Sequence, residues 1–197
     1  NNIKMCKNVC QALKNKKLEN LIYLSSDAVY SDVRSKIKEN SLTKPNSLHG
    51  QMHIKREKIL RSCFKKKICI LRPTLIYGLG DTHNGYGPNQ FLSLSMKKKN
   101  ITIFGNGEEK RDHIYIEDVI YIIMECLTKR GKGIINVVTG QVSSFRKIAK
   151  LVNKITNNKR VIKKLKRKGP MPHNGYRPFN NSLLKRKFTG LKIRKIE

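Results

Sequence analysis

Apolar residues in the first 71 positions follow two patterns, a helical spacing and short continuous runs. Helical spacing over residues 3–17, and again from about residue 48 to 63, predicts two helices. Continuous apolar runs at 21–25 and 67–71 predict two buried strands, and residues 31–44 between them predict a polar loop. This alternation of helix and strand predicts half of a doubly wound parallel sheet.

Glycine and proline divide the second part of the chain, from residue 78 onward, into shorter periodic segments. Four runs predict strands, at 101–104, 113–116, 133–138 and 161–165. Four more predict helices, at 91–96, 119–127, 145–155 and 181–188. Glu117-Asp118 and Ser143-Ser144 have the residue types that cap helices, so we expect them to begin the second and third of these.

Polar residues that could carry chemistry follow the first predicted strand. Ser25 and Ser26 end that strand, and open parallel sheets bind ligands at this end. A proline-led turn at Pro45 then opens the next helix, on which His49 and His53 are one turn apart on the same face. We therefore expect Ser26, His49 and His53 to lie together at the carboxyl end of the sheet.

The same two segments resemble the extended short-chain dehydrogenase/reductase family, the NAD-dependent sugar-nucleotide epimerases and dehydratases. Residues 25–30, Ser-Ser-Asp-Ala-Val-Tyr, are similar to the family's Ser-Ser-x-x-Val-Tyr. Residues 45–53 match its Pro-x-Ser-x-Tyr-Gly-x-x-Lys in frame. Two residues depart from that pattern, because His49 stands at the tyrosine position and His53 at the lysine position.

Three later segments extend the resemblance in the family's order. Residues 72–81 resemble its Arg-Pro-x-x-x-Tyr-Gly-Pro-Gly-Asp, 101–118 its substrate-phosphate segment, and 133–140 its Asn-Val-x-x-Gly strand. The resemblance implies an α/β fold, a Rossmann-like doubly wound parallel sheet with a smaller α/β substrate-binding lobe. Residues 1–78 would be the C-terminal half of the cofactor-binding domain. Residues 79–197 would be the substrate lobe, with 112–138 returning to the sheet.

The glycine-rich GxxGxxG turn that opens this family's fold does not occur in the 197 residues. Its glycines let backbone N–H groups approach the cofactor pyrophosphate. We therefore interpret the chain as N-terminally truncated, either part of a longer protein or a gene fragment. The alternative, a naturally short protein, would expose the edge of a buried parallel sheet, which is costly.

The resemblance also implies roles for individual residues. Ser26 would bond the substrate hydroxyl, and His49 would accept its proton with His53 nearby. The implied contacts to NAD or NADP are those of Ser25, His53 and Pro73. Two alternatives stay open from the residues alone: Ser26 could satisfy local backbone groups, and the helix could have kept its fold after losing its catalytic pair.

Arginine binds phosphate through a permanently charged, bidentate fork. Arg111 stands where the family contacts the substrate diphosphate, and Arg177 is a second candidate for substrate binding. Leu75 occupies a position where some family members carry a substrate-binding asparagine. We expect no metal site, because the five cysteines have no metal-ligand spacing and are typical of reduced thiols in a cytoplasmic protein.

The net charge of +30 favours an anionic partner. Lysines are spread along the whole chain, and no aromatic residue interrupts the basic segment 159–168, so nucleic-acid binding is the weaker alternative. No apolar run predicts a membrane span. The expected function is NAD(P)-dependent epimerase or dehydratase chemistry on a nucleotide-diphosphate sugar, in a protein that could form a homodimer. The rival interpretations are a catalytically impaired relative that binds such a ligand, and a basic nucleic-acid-binding protein.

Overall fold

The computed structural model describes residues 1–196, in which six α-helices and ten short strands alternate. The helices are α1 (Asn2–Leu13), α2 (Leu48–Phe64), α3 (Pro88–Met96), α4 (Ile116–Thr128), α5 (Phe145–Ile155) and α6 (Ser182–Lys187). The strands are β1 (Leu21–Leu24), β2 (Ile68–Pro73), β3 (Leu75–Tyr77), β4 (Thr102–Phe104), β5 (Lys110–Arg111), β6 (His113–Tyr115), β7 (Gly133–Val137), β8 (Ser143–Ser144), β9 (Lys163–Leu165) and β10 (Tyr176–Arg177).

The main sheet has the order β1-β2-β7, and its strands are all parallel. Leu21 is aligned with Ile68, and Ile70 with Ile134. This confirms the prediction that residues 21–25, 67–71 and 133–138 contribute strands to one parallel sheet. Within residues 1–196, β1 pairs with β2 alone, so its other side is a free sheet edge.

Both faces of the main sheet are covered because its strands are apolar on both sides. On one face, Tyr23, Ile68 and Ile70 pack with residues of α1 and α2, among them Cys6 and Leu60. The opposite face packs against α4 and α6 through a second cluster. Its members on the helices are Val119, Ile122, Cys126 and Leu184, with Phe188 just beyond α6.

A smaller lobe is built on the remaining strands. The strand pairs β3–β6 and β4–β9 are parallel, and β5 lies between β10 and β8. The lobe core joins α3, β4 and α5 and is made mainly of Phe91, Ile103, Phe145 and Ile148. The chain then runs back over both cores: Leu191 and Ile193 pack on the main cluster, and Ile196 packs on that of the lobe.

Two of the expected helix starts can be compared with the structure. Ser144 caps α5, its hydroxyl accepting a hydrogen bond from the Lys147 N–H, as predicted. The expectation that Glu117-Asp118 caps α4 is wrong, because α4 already begins at Ile116 after Tyr115. Asp118 instead accepts a hydrogen bond from the Arg194 N–H at 2.8 Å.

All five cysteines are unpaired, and Cys69 and Cys126 bring their buried sulfur atoms within 3.9 Å across the core. No helix in residues 1–196 is both long and apolar enough to cross a bilayer. Among the same residues, no group of three or more His, Cys, Asp or Glu side chains could hold a metal ion.

Candidate active site at the carboxyl end of the sheet

A buried ion pair supports the end of β1. The Ser25 hydroxyl donates to Glu57 Oε1 at 2.6 Å, and Arg72 donates to both carboxylate oxygens of Glu57 at 2.9 and 2.5 Å. Glu57 lies on α2 and Arg72 on β2, so the pair fastens the helix to the sheet. Ser25 was predicted to contact a cofactor, but its hydroxyl proton is already donated to Glu57.

Ser26 begins a single turn of 3-10 helix over Asp27–Val29, and its hydroxyl accepts a hydrogen bond from the Ala28 N–H at 3.1 Å. The start of α2 packs directly on this turn at Gly50. A Cβ added at Gly50 would overlap with the Ala28 carbonyl oxygen, so only glycine allows the approach. The structure thus brings the helix that carries His49 and His53 against the turn that follows Ser26.

His53 is buried, and its Nδ1 lies 3.1 Å from the Tyr23 hydroxyl. Burial, aided by His49 and Arg56, lowers the pKa of His53 to about 4. Burial also raises the pKa of the Tyr23 phenol to about 12. Both groups are therefore neutral at pH 7, and His53 supplies no positive charge where the family pattern has a lysine.

His49 is exposed, and its ring lies 4.6 Å from that of His53, measured between centroids in an edge-to-face arrangement. A neutral imidazole can accept a proton, so His49 is chemically able to act as a base. The arrangement places the His49 imidazole beside a second imidazole, where the family pattern places a tyrosine beside a lysine.

Arg177 enters the site from the lobe and is 1% exposed. It donates to Asp27 Oδ2 and to Asp32 Oδ1, each at 2.9 Å, and to the Asp27 carbonyl oxygen at 2.6 Å. These acceptors belong to the segment directly after Ser26. Arg177 therefore ties the lobe to the carboxyl end of β1.

Arg111 approaches the same carboxylate from β5. One of its Nη atoms lies 3.9 Å from Asp27 Oδ2, and the other 3.3 Å from Glu109 Oε1. Arg111 is 9% exposed. Both arginines predicted to bind substrate thus lie next to the carboxylate of Asp27. The sequence interpretation gave Asp27 no role. Its place next to Ser26 was the available signal.

Asp112 is a second acidic residue that sequence reasoning missed. It is buried, stands between Arg111 and His113 in the sequence, and accepts four hydrogen bonds from Thr74, Thr139 and Gly140. Burial raises the pKa of Asp112 to about 6, against the lowering effect of those bonds. Its bonds join the end of β2 to the chain leaving β7, which fixes the strand that carries Arg111.

The residues proposed for NAD do not by themselves form a site for that cofactor. The Ser25 hydroxyl is directed at Glu57, and His53 is uncharged and bonded to Tyr23. Pro73 is a buried strand residue aligned with Val137. With no glycine-rich turn in the sequence, these residues could contact only part of the molecule.

The parallel main sheet, with helices on both faces and a smaller lobe beside its carboxyl end, defines a Rossmann-like α/β protein. Residues 1–138 match the model of the NAD dependent epimerase/dehydratase family. The chain belongs to that family, which confirms the resemblance found in the sequence.

Two curated relatives show how much of the family's length is present. An uncharacterized UDP-glucose epimerase of Bacillus subtilis is 25% identical over 167 residues, which cover 82% of this chain and 52% of the relative. A dTDP-D-glucose 4,6-dehydratase of Dictyostelium discoideum is 27% identical, with 78% and 39% covered. The chain thus spans about half or less of the curated relatives it matches.

A solved structure agrees with the fold. The UDP-glucuronic acid 4-epimerase of Bacillus cereus, in complex with UDP-glucuronic acid and NAD, superimposes with a TM-score of 0.86 and 24% identity. The match covers 100% of this chain and 63% of that one. The predicted fold class is therefore confirmed, and this chain spans 63% of the length of that protein.

Proposed function

We propose that the complete protein is an NAD(P)-dependent epimerase or dehydratase that acts on a nucleotide-diphosphate sugar by transient hydride transfer. The observation that carries this proposal is the meeting of Arg111 and Arg177 at Asp27, directly after Ser26. It would place two phosphate-binding groups next to the residue proposed to bond the reacting hydroxyl. The names of the relatives, which include epimerases and a dehydratase of nucleotide sugars, support the same substrate class.

The pairing of the two arginines would let a ligand phosphate replace a carboxylate at Arg111. Asp27 is shared between them, and its contact with Arg111, at 3.9 Å, is longer than a hydrogen bond. A diphosphate carries more charge than one carboxylate and can accept a bidentate guanidinium pair. Arg111 would then turn from Asp27 to the ligand while Arg177 stays bonded to Asp32.

The remaining assignments follow the family pattern. Ser26 would bond the substrate hydroxyl, with His49 as the proton acceptor. His53, Ser25 and Pro73 would lie along the nicotinamide half of the cofactor, and Arg177 would assist Arg111. Residues 1–78 would complete the cofactor domain and 79–197 the substrate lobe, with 112–138 returning to the sheet.

Assembly and location are part of the proposal. A homodimer is part of the proposed assembly, and the exposed Met5 and Val9 of helix α1 do not by themselves define its interface. The unpaired cysteines favour a cytoplasmic location. Sedimentation of the chain at several concentrations would test the dimer, and a single monomeric species at all of them would remove it.

Binding of UDP-glucose to the 197-residue chain, measured by calorimetry, tests the substrate class. Arg111→Ala should weaken binding by about 1.5–3 kcal/mol, the usual contribution of a hydrogen bond to a charged group. Arg61→Ala is a matched control, because Arg61 is an exposed arginine near the opposite end of the sheet. Equal effects of the two substitutions would show that Arg111 makes no specific contact with the ligand.

A second candidate is a relative that binds the nucleotide sugar without turnover. The observation that favours it is the neutral, buried His53 at the family's lysine position. Under either candidate, the isolated chain should bind NAD no tighter than about millimolar and should not turn over UDP-glucose. Micromolar NAD binding would show that the cofactor is held without the glycine-rich turn, and would contradict both candidates as stated.

Nucleic-acid binding has charge alone in its favour. A gel-shift titration with duplex DNA should show only weak binding that declines steeply with salt. Tight binding that persists at physiological salt would revive this alternative.

A further inference from the structure

A second polar group beside Arg111 has no role in the function proposed above. His113, two residues along the chain, is 3% exposed and stacks edge-to-face on Phe145, with 5.5 Å between ring centroids. Its Nδ1 lies 3.1 Å from the Arg111 carbonyl oxygen. A carbonyl oxygen only accepts, so Nδ1 carries the proton of this bond.

The other ring nitrogen must then be a lone-pair acceptor. Burial, together with the charge of Arg111, lowers the pKa of His113 to about 4, so the ring is neutral at pH 7. Nε2 is buried and has no hydrogen-bond partner anywhere in residues 1–196. A buried acceptor left unsatisfied costs free energy, and such atoms in native proteins commonly await a water or a ligand.

His113 and Arg111 line the same small cavity, with Gln141 and Ser143 as further polar walls. The cavity measures about 10 Å³, the space of a single water molecule. Its outer wall is formed by Lys195 and Ile196. The preceding residue, Arg194, is anchored to Asp118 and Glu117, so displacement of residues 195–196 alone would enlarge the cavity.

We propose that His113 is a specificity-determining residue whose Nε2 accepts a hydrogen bond from a hydroxyl group of the same ligand whose phosphate contacts Arg111. This inference rests on the proposed function and narrows it to ligands that carry both groups. Bare phosphates would satisfy Arg111 and leave Nε2 unpaired. Entry of the hydroxyl-bearing group would require Lys195 and Ile196 to move aside, and Ile196 would then give up its packing on the lobe core.

The test compares UDP-glucose, UDP and inorganic pyrophosphate by calorimetry on the wild-type chain and two variants. His113→Phe keeps an aromatic ring against Phe145 and removes the acceptor, whereas His113→Gln keeps an acceptor. His113→Phe should weaken UDP-glucose binding about tenfold, the effect of one lost hydrogen bond, and should change pyrophosphate binding less than about twofold. His113→Gln should recover part of the loss.

The UDP arm locates the hydroxyl. A loss for UDP equal to that for UDP-glucose places it on the ribose, and an unchanged UDP affinity places it on the hexose. Both results support the proposal. The Nε2 resonance of His113, followed by ¹⁵N NMR, should shift upfield with UDP-glucose and stay unchanged with pyrophosphate, and the Ile196 methyl signals should move with it.

Two results would overturn the inference while leaving the proposed function intact. Unchanged UDP-glucose affinity in His113→Phe would mean that Nε2 pairs only with water. An equal loss for pyrophosphate would mean that His113 only holds Arg111 in place. A wild-type chain that binds none of the three ligands would instead refute the proposed function, and this inference with it.

Discussion

The buried histidine of α2 is uncharged, whereas the buried arginines of the lobe are charged and paired with carboxylates. Both groups lie next to the turn after Ser26. His53 is buried against a tyrosine and kept neutral by burial. Arg111 and Arg177 are also buried, yet both keep carboxylate neighbours, in Asp27, Asp32 and Glu109. The first region has a neutral histidine where the family pattern has a lysine. The second region keeps its arginines, and carboxylates neutralise their charge.

This difference separates two requirements that an active enzyme combines. Holding a phosphorylated ligand needs fixed positive charge, which the lobe keeps. Removing a hydroxyl proton at neutral pH needs a tuned base, which depends on a neighbouring charge. Under the proposed function, we therefore expect the two histidines to limit catalysis more than ligand binding.

The support under the first region should show the largest effect. Glu57→Ala leaves the Arg72 guanidinium buried without its carboxylate and should lower the free energy of unfolding by about 3–5 kcal/mol. Chemical denaturation measures the change. Glu125→Ala is the control, because Glu125 pairs with Lys129 at the surface, where the loss should be below about 1 kcal/mol. Similar losses would show that the buried pair is not what fastens α2.

Restoring the family's residues should raise activity. In a fusion that supplies a glycine-rich cofactor-binding segment, His49→Tyr with His53→Lys should increase UDP-glucose oxidation by at least about 10²-fold, the usual contribution of a positioned base. The single substitution His49→Tyr is the control, since its phenol would lack the neighbouring ammonium. A double variant no faster than the single one would mean that position 53 does not tune the base.

Acid should reveal the neutral state of His53. Its folded pKa of about 4 lies below the ordinary value of 6.5, so its contribution to stability is present above pH 6.5 and is lost as the pH falls through 4. Between pH 6.5 and 4, the free energy of unfolding should therefore fall by about 1–2 kcal/mol less in His53→Gln than in the wild-type chain, after allowance for solvent screening. Denaturation curves at pH 4.5 and 7 make the comparison, and an unchanged slope would contradict it.

The shared carboxylate of the second region should show the smallest effect. Asp27→Asn removes the charge that competes with a ligand phosphate for Arg111, and should tighten UDP-glucose binding by about 1 kcal/mol. Calorimetry detects the change, and Asp32→Asn, which touches Arg177 alone of the two arginines, is the control. Weaker binding in Asp27→Asn would assign that carboxylate a direct part in ligand contact.

Local patterns predicted the main sheet because its strands are short, fully apolar runs such as residues 68–71. The strand Leu75–Tyr77 was missed, since a strand of three residues is too short to show a pattern and its partner begins at His113. Asp118 was misassigned because a carboxylate can cap its own helix or accept a hydrogen bond from a backbone N–H far along the chain. The sequence does not distinguish the two roles.

Much of the site depended on contacts between residues far apart in sequence. Asp27 meets Arg177 across 150 positions, and no spacing rule reaches that far. The neutral state of His53 likewise follows from its burial beside Tyr23. The matched motifs named Ser26 and Arg111, and only the folded chain revealed which acid lies between them.

The free edge of β1 has a practical consequence for handling the protein. An unpaired strand edge invites the edge of another molecule, and β-rich association usually follows when nothing opposes it. Here the net charge of +30 opposes it through mutual repulsion. That protection weakens as salt shortens the reach of the charges to about 3 Å at 1 M. Light scattering of the 197-residue chain should therefore rise with ionic strength, and solutions for storage should be dilute in salt.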